Sequence, residues 1–319
     1  MPSIDWPYEK LVDYKPDLTL QEDFNQFWDD SLSASEEIGL NAEFTEVEGF
    51  LPLARVYDVA FDGADGVRVC GWFLTPREVK EPLPTVVQFI GYSGGREYPH
   101  ALAPHVLNGF CAFIMDSRGQ GGNTGMRLDT SHGGQRGFIT HGVLDKSEYY
   151  YRQFYLDTVR AVEVVAGRSE VDGGRIAALG GSQGGALTLA CAGLSDRVAV
   201  MAPDVPWLSH FRRSVNIAVG PYEEITEFMK RFPQEIERAF TTLSYFDNMN
   251  LVTRTKVRSA YYSVGLCDDI CPPSTVFASY NHLPEEVDRK IEVYPFNKHE
   301  GGGSLHQQRK LQWLRKTLG

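Results

Sequence analysis

The chain has 319 residues, 42% of them apolar and 23% charged, which is the composition of a globular protein with a sizeable core and excludes a disordered one. Its formal net charge of −11 excludes a phosphate-binding surface, since nucleic-acid binders need clustered Lys and Arg, so no nucleic-acid partner is expected.

The N-terminal Met-Pro-Ser-Ile-Asp-Trp-Pro carries neither a basic nor an apolar leader region, and no later segment has the apolar length needed to cross a bilayer. The expected location is cytoplasmic, with no membrane partner. Residues 18–40 are predicted to form an amphipathic helix, with Leu20, Phe24, Phe27, Trp28 and Leu32 on one face in need of a surface to cover. Extended segments near 44–50, 54–61 and 67–75 alternate in part, as an antiparallel lead-in to a sheet does. From there the texture changes. Short apolar runs at 84–90, 111–115, 175–179, 198–202, 260–264 and 291–294 are separated by helical patterns, the longest over 146–167, as in buried parallel strands joined by crossover helices. About 55 residues separate the runs near 200 and 260, too many for a plain crossover. An aromatic helical insertion is expected over about 206–255, above the sheet edge where open α/β folds place ligands. The expected fold is thus α/β, with a mostly parallel central sheet flanked by helices. It forms one domain over 1–319, with an N-terminal helical extension over 1–43.

Gly180-Gly181-Ser182-Gln183-Gly184 sits directly between the strand-like run 175–179 and the helix-compatible run 186–192. In this context G-x-S-x-G reads as a nucleophile elbow, a sharp strand-to-helix turn that holds a serine hydroxyl exposed beside a base. Gly180 and Gly184 are supporting residues, present because the turn leaves no room for Cβ atoms. An α/β-hydrolase triad runs Ser, acid, His along the chain, with both partners on loops at the same sheet edge. The run 260–264 exits into Gly265-Leu-Cys-Asp268-Asp269, where the G-x-x-D-x-x-x-P spacing puts Asp268 at the strand exit and Asp269 toward solvent. Asp268 is favoured as the acid, with Asp269 the alternative. Of the later histidines, His282 and His306 fall on helices as surface or packing residues, whereas His299 lies in a loop after 291–294 and is the expected base.

An oxyanion needs preorganised donors, usually the amide after the nucleophile and one from the loop after an earlier strand. These are Gln183 and, in Gly91-Tyr-Ser-Gly-Gly95, the N–H rather than the phenol of Tyr92, with glycines that let backbone approach a ligand. Arg118, in Asp116-Ser-Arg-Gly-Gln-Gly-Gly122, is read as scaffold, able to tie loop carbonyls or a carboxylate together. Five cysteines, odd in number and scattered at 70, 111, 191, 267 and 271, argue against a disulfide framework. Cys267 and Cys271 lack a second Cys or His pair at zinc-type spacing, so no metal is expected.

With these residues in place the chain resembles carbohydrate esterase family 7, the acetyl xylan esterases and cephalosporin-C deacetylases of the α/β-hydrolase superfamily. The resemblance rests on Arg118-Gly-Gln120, Gly180-Gly-Ser-Gln-Gly184 and His299-Glu300 in order. It extends to Gly91-Tyr-Ser-Gly-Gly-Arg96, 144–152, 243–247 and 272–277, nearly the whole chain, with departures at Asp269 and Cys271. It implies an acetyl esterase with Ser182, Asp268 and His299 as triad, Tyr92 and Gln183 as oxyanion donors, Arg118 and Gln120 in support, and no cofactor. It further implies small acetylated sugars or cephalosporin C as substrates. A homohexamer is implied too, which would supply partners for the N-terminal helix and the aromatic insertion. The alternatives are a broader short-chain carboxylesterase and a non-catalytic sugar-binding relative.

Overall fold

The computed structural model describes residues 4–49, 51–127 and 129–319. Residues 1–3 of the expected extension and Phe50, the end of the segment expected over 44–50, lie outside the described residues. Every other apolar run becomes a strand: β1 (Glu43–Glu46), β2 (Ala54–Asp62), β3 (Arg68–Pro76), β4 (Leu83–Phe89), β5 (Cys111–Met115), β6 (Val171–Gly181), β7 (Val198–Asp204), β8 (Ser259–Gly265) and β9 (Asp288–Tyr294). They pair in the order β1-β2-β3-β5-β4-β6-β7-β8-β9. The β1/β2, β2/β3 and β3/β5 pairs are antiparallel and the rest parallel. The α/β expectation, a mostly parallel sheet, holds.

Composition explains the split. Residues of β5 and β8 are buried throughout, because helices cover both faces of the inner parallel strands, while β2 mixes buried with half-exposed and exposed positions and the edge strand β9 is largely open. The helices are α1 (Tyr8–Val12), α2 (Phe24–Glu36), α3 (Ala103–Leu107), α4 (Tyr150–Ala166), α5 (Gln183–Leu194), α6 (Phe211–Ile217), α7 (Tyr222–Arg231), α8 (Ile236–Ser244), α9 (Asn248–Leu251), α10 (Pro273–Asn281) and α11 (Gly303–Leu318). Two apolar cores sandwich the sheet. Val87 and Ala178 point into the one that holds residues of α4, α5 and α10, and their neighbours Val86 and Ala177 into the one that holds residues of α3 and α11. Helix α5 is buried at every position, as its nearly uniform apolar composition requires.

The helix predicted over 18–40 begins at Phe24, leaving Leu20 outside it and exposed. Its stripe has a partner within the chain. Phe27 packs on Tyr245 and Phe246, Trp28 packs on Phe246 and Tyr155, and the Trp28 indole N–H donates to the Tyr245 carbonyl at 2.9 Å. The aromatic face of the N-terminal helix therefore covers the end of the β7–β8 helical segment. Helices α6 to α9 fill the interval between β7 and β8 where the insertion is expected. Strand β4 lies between β5 and β6, so the chain leaves it to one side and later returns on the other. The crevice beyond the carboxyl ends of β4 and β6 is the topological switch point, where such sheets bind ligands.

Candidate active site

At that crevice Ser182 stands alone between β6 and α5, with φ 58° and ψ −120°. A non-glycine residue in this region is strained by about 1–3 kcal/mol and persists only where its surroundings hold it. Here they do. The Ser182 N–H donates to the Asp204 carbonyl at 3.0 Å, and its carbonyl accepts from the N–H groups of Ala186 at 3.0 Å and Trp207 at 3.1 Å. A Cβ at Gly184 would lie 2.3 Å from the Phe89 carbonyl oxygen, and one at Gly180 2.6 Å from Gly184, so both glycines are required for the helix to start this close to β4.

Gln183 opens α5, so its N–H is among the donors without an intrahelical acceptor. Its buried side chain is fully engaged. The carbonyl oxygen accepts from Tyr151 OH and Gln120 Nε2, each at 2.9 Å, and Nε2 donates to the Ile90 carbonyl at 3.2 Å and Gln120 Oε1 at 3.1 Å. Gln120 also accepts from the Ser93 N–H at 2.7 Å and donates to Tyr150 OH at 2.9 Å. Gln120 thus ties the loop after β4 to the start of α5.

Tyr92 lies in that loop. Its phenol donates to the carboxylate of Glu224 on α7, at 2.8 and 3.0 Å, and accepts the Phe138 N–H at 2.8 Å. Burial pushes both Tyr92 and Glu224 above their ordinary pKa values. With the phenol occupied, only the backbone of Tyr92 is free to serve a reacting group. Of the glycines in this loop, Gly95 lets two loops touch, since a Cβ there would lie 2.7 Å from the Gly122 Cα, whereas a Cβ at Gly91 would meet nothing within 4 Å.

Asp268 follows β8 and is fully buried. Its Oδ1 accepts the N–H groups of Ile270 and Cys271, each at 2.9 Å, and its Oδ2 lies 2.9 Å from Nδ1 of His299. That contact puts the imidazole proton on Nδ1 and leaves Nε2 with a lone pair. His299 is 27% exposed, so the pair opens to solvent only on the imidazole side. Asp269 turns outward, 40% exposed, with Lys298 Nζ at 3.4 Å. Of the two aspartates, Asp268 is the one bonded to His299. The Ser182 hydroxyl neighbours the Cys271 thiol, which burial and the adjacent Asp268 push well above its ordinary pKa against the pull of that hydroxyl. The Cys271 sulfur in turn lies within 4.8 Å of ligand atoms of Asp268 and His299, so all four residues meet at one rim.

Arg118 is buried and grips two carboxylates, not loop carbonyls: Asp157 at 2.6 and 2.8 Å and Asp65 at 2.8 and 3.1 Å. Its own carbonyl accepts from Tyr150 OH at 2.6 Å, which links this ion cluster to Gln120. His282 and His306 are packing residues. His282 Nε2 meets the Pro16 carbonyl at 2.7 Å, and His306 Nε2 meets Asp204 Oδ1 at 2.8 Å, where Lys310 also pairs with Asp204.

Sequence reasoning missed Glu224, Tyr150, Tyr151 and the structural role of Asp116, whose carboxylate accepts four backbone N–H groups from Arg96, Ser117, Asn123 and Thr124. The tyrosines carry the periodicity of ordinary core on α4, and Glu224 that of a first-turn acid, so no local signal marks them.

A strained serine at a strand-to-helix turn on a doubly covered, mostly parallel sheet defines an α/β hydrolase. The acetyl xylan esterase (AXE1) family model matches residues 1–317. The chain is 42% identical to an acetyl xylan esterase from Paenibacillus sp. R4, with a TM-score of 0.95 over 98% of this chain and 100% of that one. It is 32% identical to acetyl xylan esterase 1 from Thermoanaerobacterium sp. JW/SL YS485, with a TM-score of 0.92 over 99% and 100% of the two chains. Acetyl esterase Axe7A of Xylanibacter ruminicola is 25% identical over 95% of this chain and 69% of its own length. The protein belongs to the acetyl xylan esterase family and is a carboxylic ester hydrolase acting on acetyl esters.

Proposed function

We propose that this protein removes acetyl groups from small acetylated carbohydrates, xylo-oligosaccharides among them, and from cephalosporin C, through an acyl-enzyme formed on Ser182. The observation that carries the mechanism is the buried Asp268 bonded to Nδ1 of His299, at the rim where the strained Ser182 projects. His299 Nε2 takes the Ser182 proton as the oxygen attacks the acetyl carbonyl. The resulting oxyanion is met by the N–H groups of Gln183 and Tyr92. The imidazolium, stabilised by Asp268, returns its proton to the departing sugar oxygen. Water, deprotonated by the same imidazole, then cleaves the acetyl-Ser182 ester and releases acetate.

All five cysteines are free, which supports a reducing, cytoplasmic location. A homohexamer is the assembly implied by the family resemblance.

The test is hydrolysis of p-nitrophenyl acetate and butyrate by the native protein and Ser182→Ala. The native protein should strongly prefer acetate, and the variant should lose at least about 10⁴-fold in turnover. Retained turnover in Ser182→Ala overturns the mechanism, and equal rates on the two esters point to a broader carboxylesterase.

A further inference from the structure

Asp268, Cys271 and His299 each present a ligand atom, and these atoms lie within 4.8 Å of one another. Among the described residues no other group of three His, Cys, Asp or Glu donors converges in this way. Asp268 and Cys271 are fully buried and His299 is partly exposed, so the cluster is closed behind and reached past the imidazole. Sulfur, imidazole nitrogen and carboxylate oxygen form the donor set of a tetrahedral zinc centre with a fourth position open. Zinc bond lengths place such donors about 3.4–3.6 Å apart, so the atoms, now within 4.8 Å of one another, would draw together at the sulfur while the Asp268–His299 pair at 2.9 Å opens. A divalent cation on one thiolate and one carboxylate also gives a neutral cluster, the condition for holding charge in a dry site.

We propose that the rim of Ser182 is also a binding site for a thiophilic divalent cation of the Zn²⁺ class, held by Cys271 Sγ, His299 and Asp268, and that cation and ester exclude each other. On binding, the Cys271 S–H bond breaks, the sulfur bonds the metal and one proton leaves to water. The Asp268 oxygen that receives the His299 proton at 2.9 Å turns to the metal, and an imidazole lone pair is occupied. The group proposed as base then has neither its orienting hydrogen bond nor a free nitrogen. Mg²⁺ and Ca²⁺, which take oxygen ligands in larger number, are not bound. The exclusion rests on the Ser182–His299–Asp268 reading, whereas the binding does not.

The probe is Co²⁺ added to the full chain stripped of metal, read by the thiolate-to-cobalt absorption band. One Co²⁺ per chain should bind, with Zn²⁺ displacing it and Mg²⁺ and Ca²⁺ failing to. Cys271→Ser and His299→Gln should each lose the band, and Cys267→Ser should keep it. Zn²⁺ should block p-nitrophenyl acetate turnover and fluorophosphonate labelling of Ser182. In Cys271→Ser the same fractional inhibition, scaled to that variant's own rate, should need more than about tenfold more Zn²⁺. No band in the native protein, or a band that survives in Cys271→Ser, overturns the site. A bound metal with undiminished turnover keeps the site but overturns the exclusion and the base assignment of His299 with it.

Discussion

Asp268 divides its two oxygens between two tasks, Oδ1 holding the N–H groups of Ile270 and Cys271 and Oδ2 holding His299. That division makes Asp268→Asn informative. The amide oxygen of asparagine can keep both backbone N–H groups, so the loop should persist, but its NH₂ then faces His299 Nδ1. The imidazole is forced into the tautomer with Nε2 protonated, which cannot accept the Ser182 proton. Turnover on p-nitrophenyl acetate should fall by about 10³–10⁴-fold with little change in melting temperature. A variant that keeps more than a tenth of native turnover would show that Asp268 does not orient the base. At this scale the sequence was legible where chemistry dictates spacing. Ser182, Asp268 and His299 each follow a strand end, and a strand end is visible as the close of an apolar run. Glu224, Tyr150 and Tyr151 were not legible, because their partners lie 132, 32 and 32 residues away in the chain and only folding brings them together. Cys271 was legible as half of a metal pair set aside for want of a second pair at zinc-type spacing, and as a departure from a family pattern, with no hint that its sulfur would share a rim with Ser182.

The contact between α7 and the loop after β4 joins the helical segment to the site. Glu224 holds the Tyr92 phenol with both oxygens while the Phe138 N–H donates to the same phenol, so three separate stretches of chain meet at one hydroxyl. Tyr92→Phe removes that hydroxyl and leaves a half-buried carboxylate and a backbone N–H each short of a partner. The expected cost is about 1–3 kcal/mol of stability, seen as a lower melting temperature. Because the substitution leaves the backbone N–H in place, turnover on p-nitrophenyl acetate should fall less than about tenfold, far short of the loss from a missing oxyanion donor. A loss as deep as that of Ser182→Ala would make the phenol itself the participating donor. Elements were legible where both faces are buried, since β4 to β8 read as continuous apolar runs bounded by turns. The partner of α2 was not. Its stripe says only that something must cover it, and Tyr245 and Phe246, which do so, lie more than 200 residues further along.

Two histidines, His105 buried and His210 half-buried, lie at separate places in the molecule, and both resist protonation. His105 on α3 is lowered to about 4, by burial first and then by the charge of Lys310. His210, whose Nε2 lies 2.8 Å from Tyr14 OH, is lowered to about 4 by burial and then by Arg213 and His282. An unfolded histidine titrates near 6.5, so between pH 6.5 and 4 the unfolded chain binds more protons than the folded one, and stability rises with pH across that window. The stabilisation is therefore complete above about pH 6.5 and is lost as pH falls toward 4. Each histidine should remove about 2 kcal/mol between pH 7 and pH 5 at 1.36 kcal/mol per unit. Carboxylates titrate over part of the same range, so the absolute profile is a sum over many groups, and the measurement that isolates these two is a difference. Urea unfolding of the native protein, His105→Gln and His210→Gln at pH 7 and pH 5 should show each variant losing about 2 kcal/mol less than the native protein on acidification, whatever its stability at pH 7. A variant whose loss matches the native one shows that its histidine is protonated alike in both states, and a cavity or a hydrogen bond, not a proton, then accounts for any change that substitution makes.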